Sequence, residues 1–202
     1  MPLRHTLKKQ RQQLDTKQQQ SASQQIISQL QPLLKDATHI ATYLATRGEI
    51  NLLPLLKALH RQHKQVYLPV VQPDGTLHFI PYHANSPLHE NHYGILEPHI
   101  DDDMTPYPAD KLDVVVLPLV GCDHDGYRLG MGKGYYDKTF AFLNQPERAT
   151  SPQLIGVGYD FQYVEKVPHN PWDVRLDTLI TELRRCDFMS HVALKDFGDQ
   201  GD

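Results

Sequence analysis

The chain has 202 residues, 40% hydrophobic and 22% charged, the make-up of a globular protein long enough to bury a sizeable core. A net charge of −4 with no concentrated basic surface argues against general attraction to nucleic acid or anionic membrane, so anionic ligands must be held by local groups. Two cysteines, Cys122 and Cys186, are too few for a disulfide framework. No stretch approaches the roughly 20 apolar residues of a membrane span, and the first residues carry Arg4, Lys8, Lys9 and Arg11 instead of an apolar leader. One cytoplasmic domain over 1–202 is expected.

From Leu3 to Leu34 the chain is polar and Gln-rich. Apolar residues at Leu3, Leu7 and Leu14, then at Ile26, Ile27, Leu30, Leu33 and Leu34, predict two helical pieces, with Asp15 and Gln18 as a capping box at the break. The glutamines, with Lys8, Lys9 and Arg11, read as solvated helix faces, from which one cation can reach a ligand. His39–Ala45 and Val66–Val71 have strand composition, and the leucines at 52, 55, 56 and 59 between them have helical spacing. Such a β-α-β unit implies neighbouring parallel strands in a layered α/β fold. Pro73-Asp74-Gly75 is a turn signal before an alternating strand at Leu77–Tyr82. Residues 83–111 show little periodicity and four prolines, which suggests a flap over a site. Asp113–Val120 is nearly continuously apolar, as a strand buried on both faces would be. A helix over Tyr135–Leu143 and strands at Leu154–Tyr159 and Leu176–Thr181 complete the expected elements.

The segment Gly126-Tyr-Arg-Leu-Gly-Met-Gly-Lys-Gly-Tyr-Tyr-Asp137 lies between that buried strand and the helix, where open α/β sheets place ligands. Gly130, Gly132 and Gly134 free backbone N–H groups to face phosphate oxygens, the helix start adds partial positive charge, and Arg128 and Lys133 add full charges. The two common nucleotide fingerprints both fail, one for want of a glycine at Tyr135 and the other at Met131 or Gly134. On spacing alone a glycine-rich structural turn stays open, as does a purely structural role for Tyr135 and Tyr136 in the core.

The string LPLVGCDHDGYRLGMGKGYYDK resembles the signature of the 5-formyltetrahydrofolate cyclo-ligase (methenyltetrahydrofolate synthetase) family, in order and without gaps. Leu3-Arg4, Gly48-Glu49-Ile50, Gly94-Ile-Leu-Glu97-Pro98, Gln162 and Trp172-Asp173 follow in family order, so the resemblance covers nearly the whole chain. Departures are Cys122, where an aromatic usually precedes Asp123; Lys138, where an Arg follows Tyr-Tyr-Asp; and Leu52, where a Thr is common.

The resemblance implies a single three-layer α/β/α domain with a mostly parallel, Rossmann-like sheet of the kind seen in NagB/RpiA/CoA transferase-like folds. It implies a monomeric ligase of one-carbon metabolism that uses ATP and Mg²⁺ to turn 5-formyltetrahydrofolate into 5,10-methenyltetrahydrofolate, with ADP and phosphate released. By the same resemblance, Arg4 and Arg128, Leu129, Gly130, Met131, Gly132, Lys133, Gly134, Tyr135 and Tyr136 bind ATP. Met131, Gly132, Lys133, Gly134 and Tyr135 also face the folate, with Leu44 and Glu49 on the opposite wall. Lys133 and Arg128 are the expected catalytic cations, and Asp137 and Asp173 the magnesium ligands, with Asp177 as the substitute for Asp173. Glu97 is left as a loop-shaping residue. Cys122 has no neighbour that would make it a nucleophile. The scattered histidines, among them His60, His63, His89, His92 and His99, offer no convergent zinc set. A binding protein without turnover and a sugar-phosphate enzyme on the same scaffold are the rival readings.

Overall fold

The computed structural model describes residues 2–91, 94–100, 104–145 and 151–188. The polar N-terminal stretch forms two helices, α1 (Pro2–Gln13) and α2 (Thr16–Leu33), broken at the expected cap. The Asp15 carboxylate accepts from the Gln18 backbone N–H at 2.8 Å while the Gln18 side chain accepts from that of Asp15 at 2.9 Å. Two N–H groups that a helix start leaves unsatisfied are thus met. Gln18, Gln20, Gln24 and Gln25 are exposed, whereas Ala22, Ser23, Ile26 and Leu30 are buried.

The first β-α-β unit is β1 (His39–Ala41), α3 (Leu53–Arg61) and β2 (Gln65–Val71), with β1 and β2 parallel. Leu55, Leu56 and Leu59 of α3 are buried, the stripe that their spacing predicts. The Pro-Asp-Gly turn returns the chain as β3 (Leu77–Pro81), antiparallel to β2. Residues 83–111, in part outside the described residues, contain the hairpin of β4 (Leu88–Glu90) and β5 (Leu96–Pro98) and a 3₁₀ turn at Ala109–Lys111. Next come β6 (Val114–Pro118), the two-residue hairpin strands β7 (Gly121–Cys122) and β8 (Arg128–Leu129), and α4 (Tyr135–Thr139). The chain continues through β9 (Gln153–Val157), β10 (Thr178–Ile180) and β11 (Arg185–Asp187).

The main sheet has the order β11-β10-β9-β6-β1-β2-β3. Its five inner strands are parallel and its two edge strands antiparallel. Burial explains β6: Val114 and Val116 enter the core on one face with α2 and α3, and Val115 and Leu117 enter the other with Phe79, Phe140 and Leu143. Each fully buried aliphatic side chain of this kind is worth about 1.5–3 kcal/mol.

The expected α/β architecture and mostly parallel sheet are present, with differences in detail. The strand expected over 39–45 ends at Ala41, one residue before its last backbone bond, from the Thr42 N–H to the Tyr67 carbonyl at 3.0 Å; beyond it the Tyr43 hydroxyl donates to the Ile50 carbonyl at 2.8 Å. The helix expected over 135–143 stops at Thr139 and a 3₁₀ turn, Ala141–Asn144, follows, so helical cover on that face of the sheet is thin.

Candidate functional site

A cleft of about 800 Å³ opens at the carboxyl ends of β1, β2 and β6. The chain runs from β1 to β2 on one side and from the neighbouring β6 to β9 on the other, so the two connections leave in opposite directions and their loops part to form a crevice. Three segments wall it: Tyr43–Glu49 after β1, the glycine loop Gly130–Gly134 between β8 and α4, and Pro168–Asp173 before β10.

The first wall is a tight turn. The Glu49 N–H donates to the Thr46 carbonyl at 3.0 Å, and Arg47 and Gly48 between them take positive φ. The Glu49 carboxylate accepts from the Thr46 N–H at 3.0 Å, and the Tyr159 hydroxyl holds the Gly48 carbonyl at 3.0 Å. Burial raises the Glu49 carboxyl above the ordinary range, against the pull of the Thr46 N–H and of Arg11. Burial likewise pushes the Tyr159 phenol up to about 12. Leu44 lines the cleft from the same wall.

Arg11 corrects the reading of α1 as an exposed basic face. It is 2% exposed, its Nη1 lies 3.8 Å from Glu49 Oε1 and donates to the Leu119 carbonyl at 3.4 Å, and its buried Nε has no protein partner. It lines the cleft, as does Arg4, whose Nε donates to the Gly130 carbonyl at 2.9 Å. Lys9, in contrast, is exposed.

On the second wall Gly132 (φ +98°) and Gly134 (φ +69°) occupy the left-handed region, which side-chain-bearing residues rarely adopt. Met131, Gly132 and Lys133 are exposed at the rim, whereas Gly130, Gly134, Tyr135 and Tyr136 are half-buried within it, and Leu129 anchors the loop in the core. Burial raises the Tyr136 phenol, and the Arg128 guanidinium sits 5.6 Å from its ring centre. The short β7–β8 hairpin that leads into this loop escaped the sequence analysis, since two-residue strands carry no period. Buried Asp123 shapes it: its carboxylate accepts from the N–H groups of Asp125, Tyr127 and Val167. The five-residue α4 contributes little helix dipole, so the side chains and loop N–H groups carry the local positive charge.

Arg128 is almost fully buried and braced. Nη1 donates to the Val174 carbonyl and Nη2 to Asp137 Oδ1, each at 2.8 Å, so its planar fork joins the glycine loop to the third wall. Asp137 Oδ1 also accepts from the Val174 N–H at 3.0 Å, and Asp173 Oδ2 accepts from the Asn170 N–H at 2.9 Å. Each aspartate is therefore oriented through one oxygen, and among the described residues no protein donor meets the other. Both line the cleft, whereas Asp177, buried and accepting from the Leu154 N–H, does not. Lys138 instead lies over the Asp74-Gly75 turn, with Nζ 3.4 Å from the Asp74 carbonyl. Cys122 is buried, and burial drives its thiol far above the ordinary value, which suits a packing residue. Glu97, 5% exposed, has a role beyond shaping its loop: its Oε1 accepts from Asn91 Nδ2 at 2.7 Å and from the Val71 N–H at 3.3 Å, which ties the β4–β5 hairpin to β2 at the cleft wall.

The geometry brings Arg4, Leu44, Glu49, the glycine loop, Asp137 and Asp173 to one cavity. The chain is similar to known proteins over most of its length. A 5-formyltetrahydrofolate cyclo-ligase of Escherichia coli is 38% identical over 179 residues, 87% of this chain and 96% of that protein. One from Haemophilus influenzae is 36% identical over 86% of this chain and 92% of its own length. Among solved structures, Aquifex aeolicus 5,10-methenyltetrahydrofolate synthetase superposes with a TM-score of 0.81 at 28% identity, covering 99% of this chain and 98% of that one. A 5,10-methenyltetrahydrofolate synthetase from Mycoplasma pneumoniae gives 0.71 at 25% identity, over 90% and 97%. The family model for 5-formyltetrahydrofolate cyclo-ligases matches residues 1–182, and the chain belongs to that family.

Proposed function

We infer that this chain converts 5-formyltetrahydrofolate and ATP to 5,10-methenyltetrahydrofolate, ADP and phosphate in the cleft just described. The observation that carries the reading is the meeting, in one cavity, of a buried carboxylate on a rigid turn, Glu49, with a glycine loop flanked by Arg4 and Lys133. The carboxylate suits the N–H edge of a pterin and the loop suits a triphosphate.

The N5-formyl oxygen is a poor leaving group. It attacks the γ-phosphorus of ATP, the bond from that phosphorus to the β-bridging oxygen breaks, and ADP leaves. The N10 lone pair then attacks the activated formyl carbon; N10 loses its proton and phosphate departs with the C–O bond, closing the methenyl bridge. Such a transfer asks the protein for positioning and charge neutralisation more than for a nucleophile. Glu49 and Leu44 position the pterin, the Met131–Tyr135 backbone brings the γ-phosphoryl group to the formyl oxygen, and Lys133 offsets charge on the transferring group. Arg4 steadies the loop through the Gly130 carbonyl and adds charge toward the phosphates. Arg128 acts from behind, holding Asp137 and Val174 in place.

The donor set fits a magnesium ion: two carboxylates, each fixed through one oxygen, match the one or two that this ion takes beside phosphates and water. Asp137 and Asp173 would hold it, and its charge would offset that of the phosphates. No helix among the described residues is long and apolar enough to cross a membrane, and a cytoplasmic monomer is the proposed form.

The test is to incubate the protein with 5-formyltetrahydrofolate, ATP and Mg²⁺ and record the absorbance of the methenyl product. Lys133→Ala should reduce turnover about 100-fold with little change in folate affinity, since its charge is used mainly in the transition state. Folded parent protein that gives no product rejects the activity, and equal losses of turnover and folate affinity reject the role of Lys133.

A further inference from the structure

Among the described residues, two that are not glycine take left-handed backbone angles, His63 (φ 59°) and Arg47 (φ 51°). His63 follows the last turn of α3, and its N–H donates to the His60 carbonyl at 3.0 Å; a helix end is a common place for such a residue. Arg47 has no such setting. With Gly48 (φ 79°) it forms the centre of the turn that the Glu49 N–H closes on the Thr46 carbonyl. A turn with both central φ positive is the type I′ form, which favours Asn, Asp or Gly at its first centre. A longer side chain there is strained, because its Cβ crowds the following carbonyl.

The surroundings impose that strain. The turn lies on α1, where a methyl added to Gly48 would come within 3.4 Å of the Arg11 carbonyl. The Tyr159 hydroxyl holds the Gly48 carbonyl, and the Glu49 carboxylate holds the Thr46 N–H. Strain fixed in the wall of a site calls for a use of the side chain that bears it. The Arg47 side chain is exposed and lines the cleft. Its charge reaches the Glu49 carboxylate, as does that of buried Arg11, so Glu49 has one buried and one exposed cation beside it. A pterin whose N–H edge meets Glu49 brings its ring next to the exposed one. The p-aminobenzoylglutamate tail leaves the pterin from the edge opposite those N–H groups, so its carboxylates point away from the turn. Arg47 is left with the ring face, on which a planar guanidinium stacks.

We propose that Arg47 is a specificity-determining residue of the folate site, its guanidinium stacked on the pterin ring that Glu49 holds by the edge. The assignment rests on the reading that the cleft binds folate and goes beyond it in naming what covers the ring. It also couples two measurable effects, since the change that relaxes the turn removes the contact.

The experiment compares parent, Arg47→Asn and Arg47→Lys proteins by thermal melts and calorimetric titration. Arg47→Asn, which suits the turn, should raise the melting temperature by about 2–4 °C. It should bind 5-formyltetrahydrofolate about ten-fold more weakly, within the range of a desolvated cation–π contact, and ADP with Mg²⁺ as the parent does. Arg47→Lys keeps the charge and the strain without the plane, and should stay at least about three-fold weaker than the parent. 5-Formyltetrahydropteroate, which lacks the glutamate, should show the same losses. Unchanged folate affinity or a melting temperature no higher in Arg47→Asn, full recovery in Arg47→Lys, or a loss confined to the compound with glutamate overturns the stack while leaving folate binding intact. Parent protein that binds neither compound removes the folate reading, and the stack with it.

Discussion

Arg11 leaves α1 on the same face as Leu7, which packs with Val120 and Leu129, so the guanidinium is carried under the cleft floor. The apolar set Leu3, Leu7 and Leu14 already marked that face, and position 11 completes its helical spacing; the charge of the residue disguised it as solvated. The pairing with Glu49 was not legible, since it depends on where the turn after β1 lies in space. It makes a pH-dependent prediction. Burial raises the Glu49 carboxyl and Arg11 pulls it back. Arg11→Met removes that pull, so the native state takes up its proton still more readily while the unfolded chain ionises normally. A native carboxyl raised in this way loses folding stability as pH climbs from the unfolded value through the native one. The deficit of Arg11→Met against the parent should thus be small, about 1 kcal/mol, near pH 5 and reach about 3 kcal/mol near pH 8, the scale for breaking a buried pair. Urea melts at the two pH values check it, and a deficit independent of pH would show that the two groups are not coupled.

The glycine loop was the most readable element, because its spacing is set by backbone needs that only glycine meets. Among its glycines only Gly132 and Gly134 have positive φ. Room is not the constraint at Gly132, where an added methyl would meet the Arg4 guanidinium at an ordinary 3.7 Å. Gly132→Ala should then act through conformation, lowering stability by about 1 kcal/mol and ATP affinity about ten-fold. Gly130→Ala, with ordinary φ and open space around it, should keep the parent's melting temperature. Thermal melts and nucleotide titrations distinguish the two, and equal destabilisation would refute the argument. Elements of five residues or more with a repeating or continuous apolar pattern were legible: the capped helix break, the leucine stripe of α3 and the apolar run of β6. The hairpin strands β7 and β8 and the edge strand β11 are two or three residues long and owe their place to partners, so the sequence carries no signal for them.

At the scale of the molecule, the sheet was readable as parallel from one β-α-β unit and one buried strand, but its order was not, because neighbours such as β6 and β9 are fixed by packing. The site shares that property. Its walls come from α1, from the turn after β1, from the loop after β8 and from the segment before β10, so a ligand that touches them all ties distant parts of the chain together. Saturating the protein with ADP, Mg²⁺ and 5-formyltetrahydrofolate, which cannot react without the γ-phosphoryl group, at about 100 times their dissociation constants should add at least about 2.7 kcal/mol and raise the melting temperature by roughly 5–10 °C. Calorimetry measures this, and an unshifted melt at saturation would contradict a shared cleft. The brace from Arg128 to Val174 carries one more consequence, for synthesis. A ribosome adding about 5–20 residues per second needs roughly 2–8 s to pass from Gly134 to Val174. Throughout that interval the emerging chain has its glycine loop without the backbone that steadies it, so a ligand that needs that loop can shelter the released protein but not the nascent one.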